Sequence, residues 1–191
     1  MGPFPHDAPP ARITDENPAG TDGFEFVEFA HPEPEKLAEL FTRMGYTEVA
    51  RHRSKKISVW RQGDINYILN AEPGSHAMRF VDLHGPCAPS MGWRVVDAKH
   101  AYEHAISRGA EPYTGKDKAL DVPAIVGIGG SLLYFIEAYG DKGSAYDAEF
   151  DWVDKRNPSP EGVGFYYLDH LTHNVYRGNM DKWWDFYRTL F

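Results

Sequence analysis

The chain has 191 residues, enough for one domain of ordinary size and part of another. Hydrophobic residues make up 42% of it and aromatic residues 14%, a composition that excludes wholesale disorder. The net charge of −8 argues against a nucleic-acid partner, because such a partner normally requires a basic face.

Cysteine content and hydropathy narrow the class further. Cys87 is the only cysteine, which excludes an intrachain disulfide and a cysteine zinc cluster. No run reaches the roughly 18 apolar residues of a membrane helix. The first residues contain prolines and acids where a signal peptide needs an apolar stretch. We therefore expect a cytoplasmic protein without a membrane partner.

The first half of the chain predicts a flexible arm and then a β-α-β-β-β unit. Residues 1–22 are rich in Pro, Asp, Gly and Ala and lack periodicity, which is typical of an arm. A strand is predicted over 24–29 and a helix over 34–44, which ends at Gly45. Three further strands complete the unit: 57–60, 65–69 and 78–83.

A basic cluster, Arg51 to Lys56 (RHRSKK), lies between two of these strands. It fits a solvated hairpin edge better than a polyanion site, because charged side chains are a common way to protect a sheet edge.

The same order of elements then recurs. A strand is predicted over 93–96 and a helix over 98–107, which ends at Gly109, and an apolar strand over 131–136 closes the unit. Two such units in tandem make one complete module, which we assign to residues 23–150.

A third start follows a polar, Pro- and Gly-rich linker at 151–163. A strand over 166–175 and a helix over 181–190 repeat the opening of the first unit. Tyr187 aligns with Phe41 at an offset of 146 residues, and charged and apolar positions of the two helices then coincide. Residues 164–191 are therefore the start of a second module.

Paired β-α-β-β-β units that are duplicated again resemble the vicinal-oxygen-chelate superfamily, whose half-barrels surround a metal. Four segments are similar to bacterial 4-hydroxyphenylpyruvate dioxygenases: NPAGTDGFEFVEF (17–29), HGPCAPSMGWRV (84–95), GIGGSLLYF (127–135) and LDHLTHNV (168–175). The resemblance starts at about residue 12 and reaches the end of the chain. Known members continue for about as many residues again. The implied fold is α+β, with one complete module and the first strand and helix of a second.

The resemblance also implies a chemistry. The family uses Fe(II) held by two histidines and one glutamate of the second module, a set that leaves positions for substrate and O₂. The first of these ligands corresponds to His170, and the other two have no counterpart in the chain. The implied reaction converts the 2-oxo acid 4-hydroxyphenylpyruvate and O₂ into homogentisate and CO₂, in tyrosine breakdown. Hydroxymandelate synthase is a near relative, and a homo-oligomer is expected.

Other candidate ligands are less favourable. His173 lies near His170, but strand alternation would place the two on opposite faces. In the first module the repeat offset maps His170 onto Phe24, which cannot bind a metal, so this module is expected to be structural. Glu137 follows the closing strand, where related modules carry a chelating glutamate, but a strand-end carboxylate in water is the favoured interpretation.

Three further motifs favour structural roles. Gly127 to Gly130 precedes a strand where a dinucleotide fold needs a helix. His84-Gly85-Pro86 fits a turn, and His100 and His104 fit a solvated helix face, because no third ligand is evident near their one-turn spacing.

Two questions stay open at the level of sequence. A non-catalytic binding or assembly module of the same superfamily is the alternative function, because the chain lacks two of the three ligands. The last helix carries an aromatic face that we expect to dock on a second copy or to fray; the alternative is that it folds back on the first module. That face comprises Met180, Trp183, Trp184, Tyr187 and Phe191.

Overall fold

An eight-stranded sheet forms the frame of the protein, whose computed structural model describes residues 9–191. The first unit consists of β1 (Thr21–Ala30), α1 (Pro34–Arg43), β2 (Thr47–His52), β3 (Ile57–Gln62) and β4 (Ile65–Asn70). After α2 (His76–His84) come β5 (Cys87–Val95), α3 (Ala98–Ser107), β6 (Ala124–Val126), β7 (Leu132–Ile136), β8 (Phe150–Trp152) and α4 (Met180–Leu190). The strand order is β6-β7-β5-β1-β4-β3-β2-β8.

The two units meet where β1 pairs with β5 in antiparallel fashion, with Val27 opposite Met91. Each of these strands has a parallel neighbour from its own unit, β4 beside β1 and β7 beside β5. This arrangement confirms the predicted α+β fold of paired units. The second unit is shorter, and a single bridge between Pro112 and Ile125 stands where the first unit has a full strand.

The two faces of the sheet carry separate cores. One face holds the largest cluster, in which Phe26, Ile68 and Tyr134 are buried together with Leu120 from a loop and Phe150 from β8. The opposite face packs against the helices: Met91, Leu133 and Phe135 lie under α3 and α4, and Leu69 packs with Phe41 of α1.

Two carboxylates are buried in the sheet. Glu28, which is 1% exposed, accepts hydrogen bonds from Ser90 and, at 2.6 Å, from Asn70 Nδ2. Glu25 accepts from Arg94 Nε at 2.7 Å. Burial raises the pKa of the Glu28 carboxyl, because the charged form loses its hydration, and the hydrogen bonds from Ser90 and Asn70 offset this only in part.

The strand predicted over 78–83 is wrong: the segment lies in α2. Ser75 caps this helix by accepting a hydrogen bond from Met78 N at 3.2 Å. Ala77 and Val81, four residues apart, are its buried positions, so the apolar residues follow a helical period rather than alternation.

A strand that the sequence analysis did not identify, β2, takes its place in the first unit. Val49 and Ala50 are both buried in it, so it lacks the alternation that marks a half-buried strand. The basic cluster begins inside it, at Arg51 and His52, but does not protect a free edge, because β8 pairs with β2 there. Arg53 donates hydrogen bonds to Asp151 Oδ1 at 3.0 Å and Ala148 O at 2.6 Å.

The predicted 93–96 strand is longer in the structure and starts at Cys87, before Pro89. A proline cannot donate a ladder hydrogen bond. The register between β1 and β5 shifts between Glu28 and Ala30, opposite this proline, so the missing donor falls in a bulge.

The ends of the predicted arm and linker differ from the structure. Residues 1–8 lie outside the described part of the chain. Within the described residues, Ala19 is fully buried, and Asn17 Oδ1 accepts a hydrogen bond from Thr21 N at 2.8 Å. The predicted arm, which extended to residue 22, is therefore too long. The first two residues assigned to the linker, Asp151 and Trp152, belong to β8.

The segment predicted as a strand over 166–175 forms none in the structure. A strand needs a hydrogen-bonded neighbour, and in the described part of the chain this segment pairs with none of the strands of the sheet. In the described residues no helix has the length and hydropathy to cross a membrane.

Helix α4 folds back on the first module, which contradicts the expectation that it frays or needs a second copy. Leu190 is 2% exposed, and the Phe191 ring stacks on Trp93 with ring centroids 4.6 Å apart. The packed face is rotated from the predicted one: Met180 and Trp184 stay 67% and 61% exposed.

The docking of α4 yields a first prediction. Leu190→Ala should remove about 2 kcal/mol or more of packing, which corresponds to roughly 30-fold faster hydrogen exchange in α4. Trp184→Ala is the matched control, because that exposed side chain should change exchange by less than about threefold. Equal exchange rates in the wild type and Leu190→Ala would show that α4 is not held by this contact.

The buried Glu28 yields a second prediction. Its folded-state pKa is raised above the ordinary 4.5, so between the two values the folded protein binds more protons than the unfolded chain. The contribution of Glu28 to the free energy of unfolding is therefore fully present below about pH 4.5, and it is lost as the pH rises through the folded-state pKa. Glu28→Gln should weaken this decline in urea unfolding, and part of it should remain because burial also raises the pKa of Glu25, whereas the exposed Glu39→Gln should retain it in full. The same decline in both variants would contradict the assignment.

Candidate functional site

His170, the predicted iron ligand, lies on the exposed segment between the linker and α4. Its Nδ1 is 2.6 Å from Asp169 Oδ2. A carboxylate at one ring nitrogen fixes the tautomer and orientation of an imidazole, and the other nitrogen is then the one available to a metal. The Asp169–His170 pair therefore has the form of a single metal ligand with its orienting carboxylate.

His173 has a different environment from His170. It is half-buried, and its Nε2 is 3.1 Å from the hydroxyl of Tyr187 in α4. Burial lowers the pKa of His173 and raises the pKa of Tyr187 to about 12, so near neutral pH both groups are uncharged. The neutral imidazole ties the segment to α4.

The structure does not assemble a metal site from the candidates. Within residues 9–191, no three His, Cys, Asp or Glu side chains are grouped so that they could hold an ion. Phe24, at the position equivalent to His170, packs on Trp93 with ring centroids 4.7 Å apart. Glu137 accepts a hydrogen bond from Ala98 N at 2.8 Å, so it satisfies the amino end of α3.

The remaining motifs have structural roles. His100 is held by Pro18 O, which lies 2.9 Å from its Nε2, beside His104 on α3. Gly85 ends α2 with a φ of 74°, in agreement with the predicted turn. Residues 127–130 form a tight turn before β7, in which Gly127 N donates to Ser131 O at 2.7 Å.

A cleft of about 710 Å³ lies between residues 80–91 of the first module and residues 173–183, which include the start of α4. His84 and Cys87 line one side, and His173, Lys182 and Trp183 line the other; His170 is not among its lining residues. Sequence reasoning missed this cleft, because it brings together residues about 90 apart that share no motif or period.

Comparisons with known proteins place these features in a family. A family model described as "Hydroxyphenylpyruvate dioxygenase, HPPD, N-terminal" matches residues 15–151. Hemolysin VllY of Vibrio vulnificus is 49% identical over 181 residues, which are 91% of this chain and 50% of that protein. The 4-hydroxyphenylpyruvate dioxygenase of Pseudomonas aeruginosa is 46% identical over 185 residues, which are 94% of this chain and 52% of that protein.

A solved structure shows the same fold. A xylose isomerase-like TIM barrel/4-hydroxyphenylpyruvate dioxygenase fusion protein matches with a TM-score of 0.81 and 33% identity, over 96% of this chain and 28% of that one. The chain spans about half the length of the curated relatives named above.

The environment of His173 predicts a pH dependence for this segment. The folded-state pKa of His173 lies below the ordinary 6.5. The contact between this segment and α4 is therefore at full strength above about pH 6.5 and weakens as the pH falls through the folded-state pKa. Trp183 fluorescence or hydrogen exchange in α4 measures this weakening. His173→Gln retains an acceptor for Tyr187 but does not titrate, and it should remove the pH dependence. A dependence unchanged in this variant would contradict the role of His173.

Proposed function

Since the chain belongs to the family of hydroxyphenylpyruvate dioxygenase amino-terminal domains, we propose that it is the amino-terminal portion of an Fe(II)-dependent 4-hydroxyphenylpyruvate dioxygenase. The complete protein would convert 4-hydroxyphenylpyruvate and O₂ into homogentisate and CO₂. In this proposal the first module is a structural support, and the segment after the linker begins the catalytic module.

The observation that carries the proposal is the Asp169–His170 pair. Metal-binding histidines commonly donate their second ring nitrogen to a carboxylate, which orients the ring and increases the basicity of the ligand. Asp169 Oδ2 is placed for that role, 2.6 Å from His170 Nδ1. Both side chains are exposed, so the ring can be approached by further ligands from the second module.

The packed side chains inside the first module favour a structural role for it. The position equivalent to His170 is Phe24, and its ring is engaged with Trp93. On the other face of the sheet, Phe26 and Tyr134 pack together with ring centroids 5.4 Å apart. A packed apolar interior stabilises a fold but offers no open coordination position.

The proposed roles in the reaction follow from these positions. Iron, when bound, would chelate the 2-oxo acid and activate O₂. His170 would contribute one imidazole ligand, and Asp169 would hold the proton at Nδ1 so that Nε2 faces the metal. Exposed apolar side chains on the same part of the chain, Phe165, Trp184 and Met180, provide a surface for the rest of a second module to bury and so exclude water from the site.

A non-catalytic binding or assembly module is the second candidate. It is favoured by the filled first module and by the lack of a three-ligand group in residues 9–191. Hydroxymandelate synthase activity is a further alternative to the dioxygenase. Homo-oligomer formation remains a prediction.

A hybrid protein tests the catalytic proposal. In it, this chain replaces the matching part of the Pseudomonas aeruginosa dioxygenase, and homogentisate formation is measured. We expect turnover, and we expect His170→Ala to reduce it by more than about a hundredfold through loss of a ligand. His173→Gln is the control and should retain most activity. A folded hybrid that is inactive would favour the non-catalytic alternative, and activity that survives His170→Ala would contradict the role of His170 as a ligand.

The chain by itself should behave differently from the hybrid. We expect no homogentisate from 4-hydroxyphenylpyruvate with Fe(II) and ascorbate, and only weak Co(II) binding, because one imidazole competes poorly with hydration of the ion. Calorimetric titration with Co(II) measures the affinity. A stoichiometric ion that survives dialysis would show that His170 already has companion ligands in this chain.

A further inference from the structure

The segment that joins the complete module to the second-module segment crosses the turn between β3 and β4, and Gln62 lies beneath it. This side chain, at the end of β3, is 0% exposed. Its Oε1 accepts hydrogen bonds from Val163 N at 2.6 Å and Phe165 N at 3.3 Å. Its Nε2 donates to Met44 O, at the end of α1, at 2.9 Å. One buried amide thus connects α1, β3 and the joining segment.

The backbone of the joining segment approaches Gln62 so closely that a glycine is required. A Cβ at Gly162 would lie 2.2 Å from Cγ of Gln62. The φ of Gly162 is outside the left-handed region, so close approach, and not backbone conformation, explains the glycine at this position. On the other side of the contact, a Cβ at Gly63 would lie 2.4 Å from Cα of Tyr166.

Two further hydrogen bonds hold the same segment. Asp64 N donates to Tyr166 O at 2.9 Å, and Arg61 Nη1 donates to Pro158 O at 2.9 Å. Arg61 is itself fixed, because its guanidinium lies 5.3 Å from the ring centroid of Trp152. The segment is therefore held at its start, middle and end, and Gln62 is the only one of these donors and acceptors that is completely buried.

We propose that Gln62 is the positioning residue of the junction: by holding Val163 and Phe165 it sets where the segment that carries His170 leaves the first module. A buried amide is suited to this role, because the hydrogen bonds of a neutral donor-acceptor group are directional and leave no unpaired charge. The importance of this position for an iron site rests on the proposed function; the clamp itself rests on the contacts above.

A narrower role for Gln62 is to satisfy the end of α1 through Met44 O. The two roles predict different effects. A capping group affects only the last turn of α1, whereas a positioning group also affects the segment beyond residue 163, including His173. His173 is suited as a reporter, because its pKa is lowered by burial at the far end of that segment.

The test uses this chain without iron. Gln62→Met keeps the length of the side chain and removes its donor and acceptor. We expect the amides of Val163 and Phe165 to exchange at least about tenfold faster, and the pKa of His173, followed by NMR, to rise towards 6.5 as its burial is lost. Glu161→Ala, a neighbouring exposed substitution, should change neither.

Gly162→Ala probes the same contact from the other side, because its Cβ would collide with the Gln62 side chain, so that this side chain or the joining segment must shift. It should reproduce both effects of Gln62→Met. Unchanged exchange at Val163, or changes confined to the last turn of α1, would overturn the proposal. Equal acceleration at every amide, including those of β1 and β5, would also overturn it by showing general destabilisation. Because no readout involves iron or turnover, these outcomes are independent of whether the dioxygenase proposal holds.

Discussion

The antiparallel pairing of β1 with β5 is the constraint on which the rest of the structure depends. It joins the two units at Val27 and Met91, and each strand then adds its own parallel neighbour. The pairing also determines which residues share a face. Gly92 lies opposite Phe26, and a Cβ at Gly92 would be 2.5 Å from the phenyl ring, so this glycine allows the ring into the core beside Tyr134. A larger residue there would separate the units at their centre.

The two units differ in how they cover the sheet, and this difference explains the position of α4. In α1, Phe41 stands four residues before the glycine that ends the helix; in α3, the equivalent residue is Ala105. Alanines on α3 leave volume above Met91 and Phe135, and α4 brings Leu190 and larger aromatic side chains into it. Burial of apolar surface of this kind is worth about 25 cal/mol per Å². The fold-back of α4 therefore has a local cause in the composition of α3.

The sequence predicted much of this fold, and the exceptions have physical explanations. The residue range of α3 agrees with the prediction, and the ends of α1, β7 and α4 differ from it by one residue. Periodicity failed where both faces of a strand are buried, as at Val49 and Ala50, and where a helix is too short for its helical spacing to stand out, as in the nine residues of α2. The site was less predictable. His170 could be named from a motif, but the contacts of Gln62 connect residues about 100 apart, and neither spacing nor period encodes them.

Glu28 and the Asp169–His170 pair lie in opposite electrostatic settings. A metal site needs an ionised carboxylate or a neutral imidazole that solvent and substrate can reach. In the first module, β1 carries Glu28, whose only hydrogen-bond partners are neutral and whose pKa is raised by complete burial, a setting that favours the protonated form. The segment before α4, which forms no strand, carries an exposed Asp169–His170 pair, in which the carboxylate lies 2.6 Å from the ring nitrogen. A buried acid favours its protonated form, whereas an exposed acid can remain ionised beside a cation, and one environment cannot do both. The cost of burying an ionised group is therefore what separates these two settings.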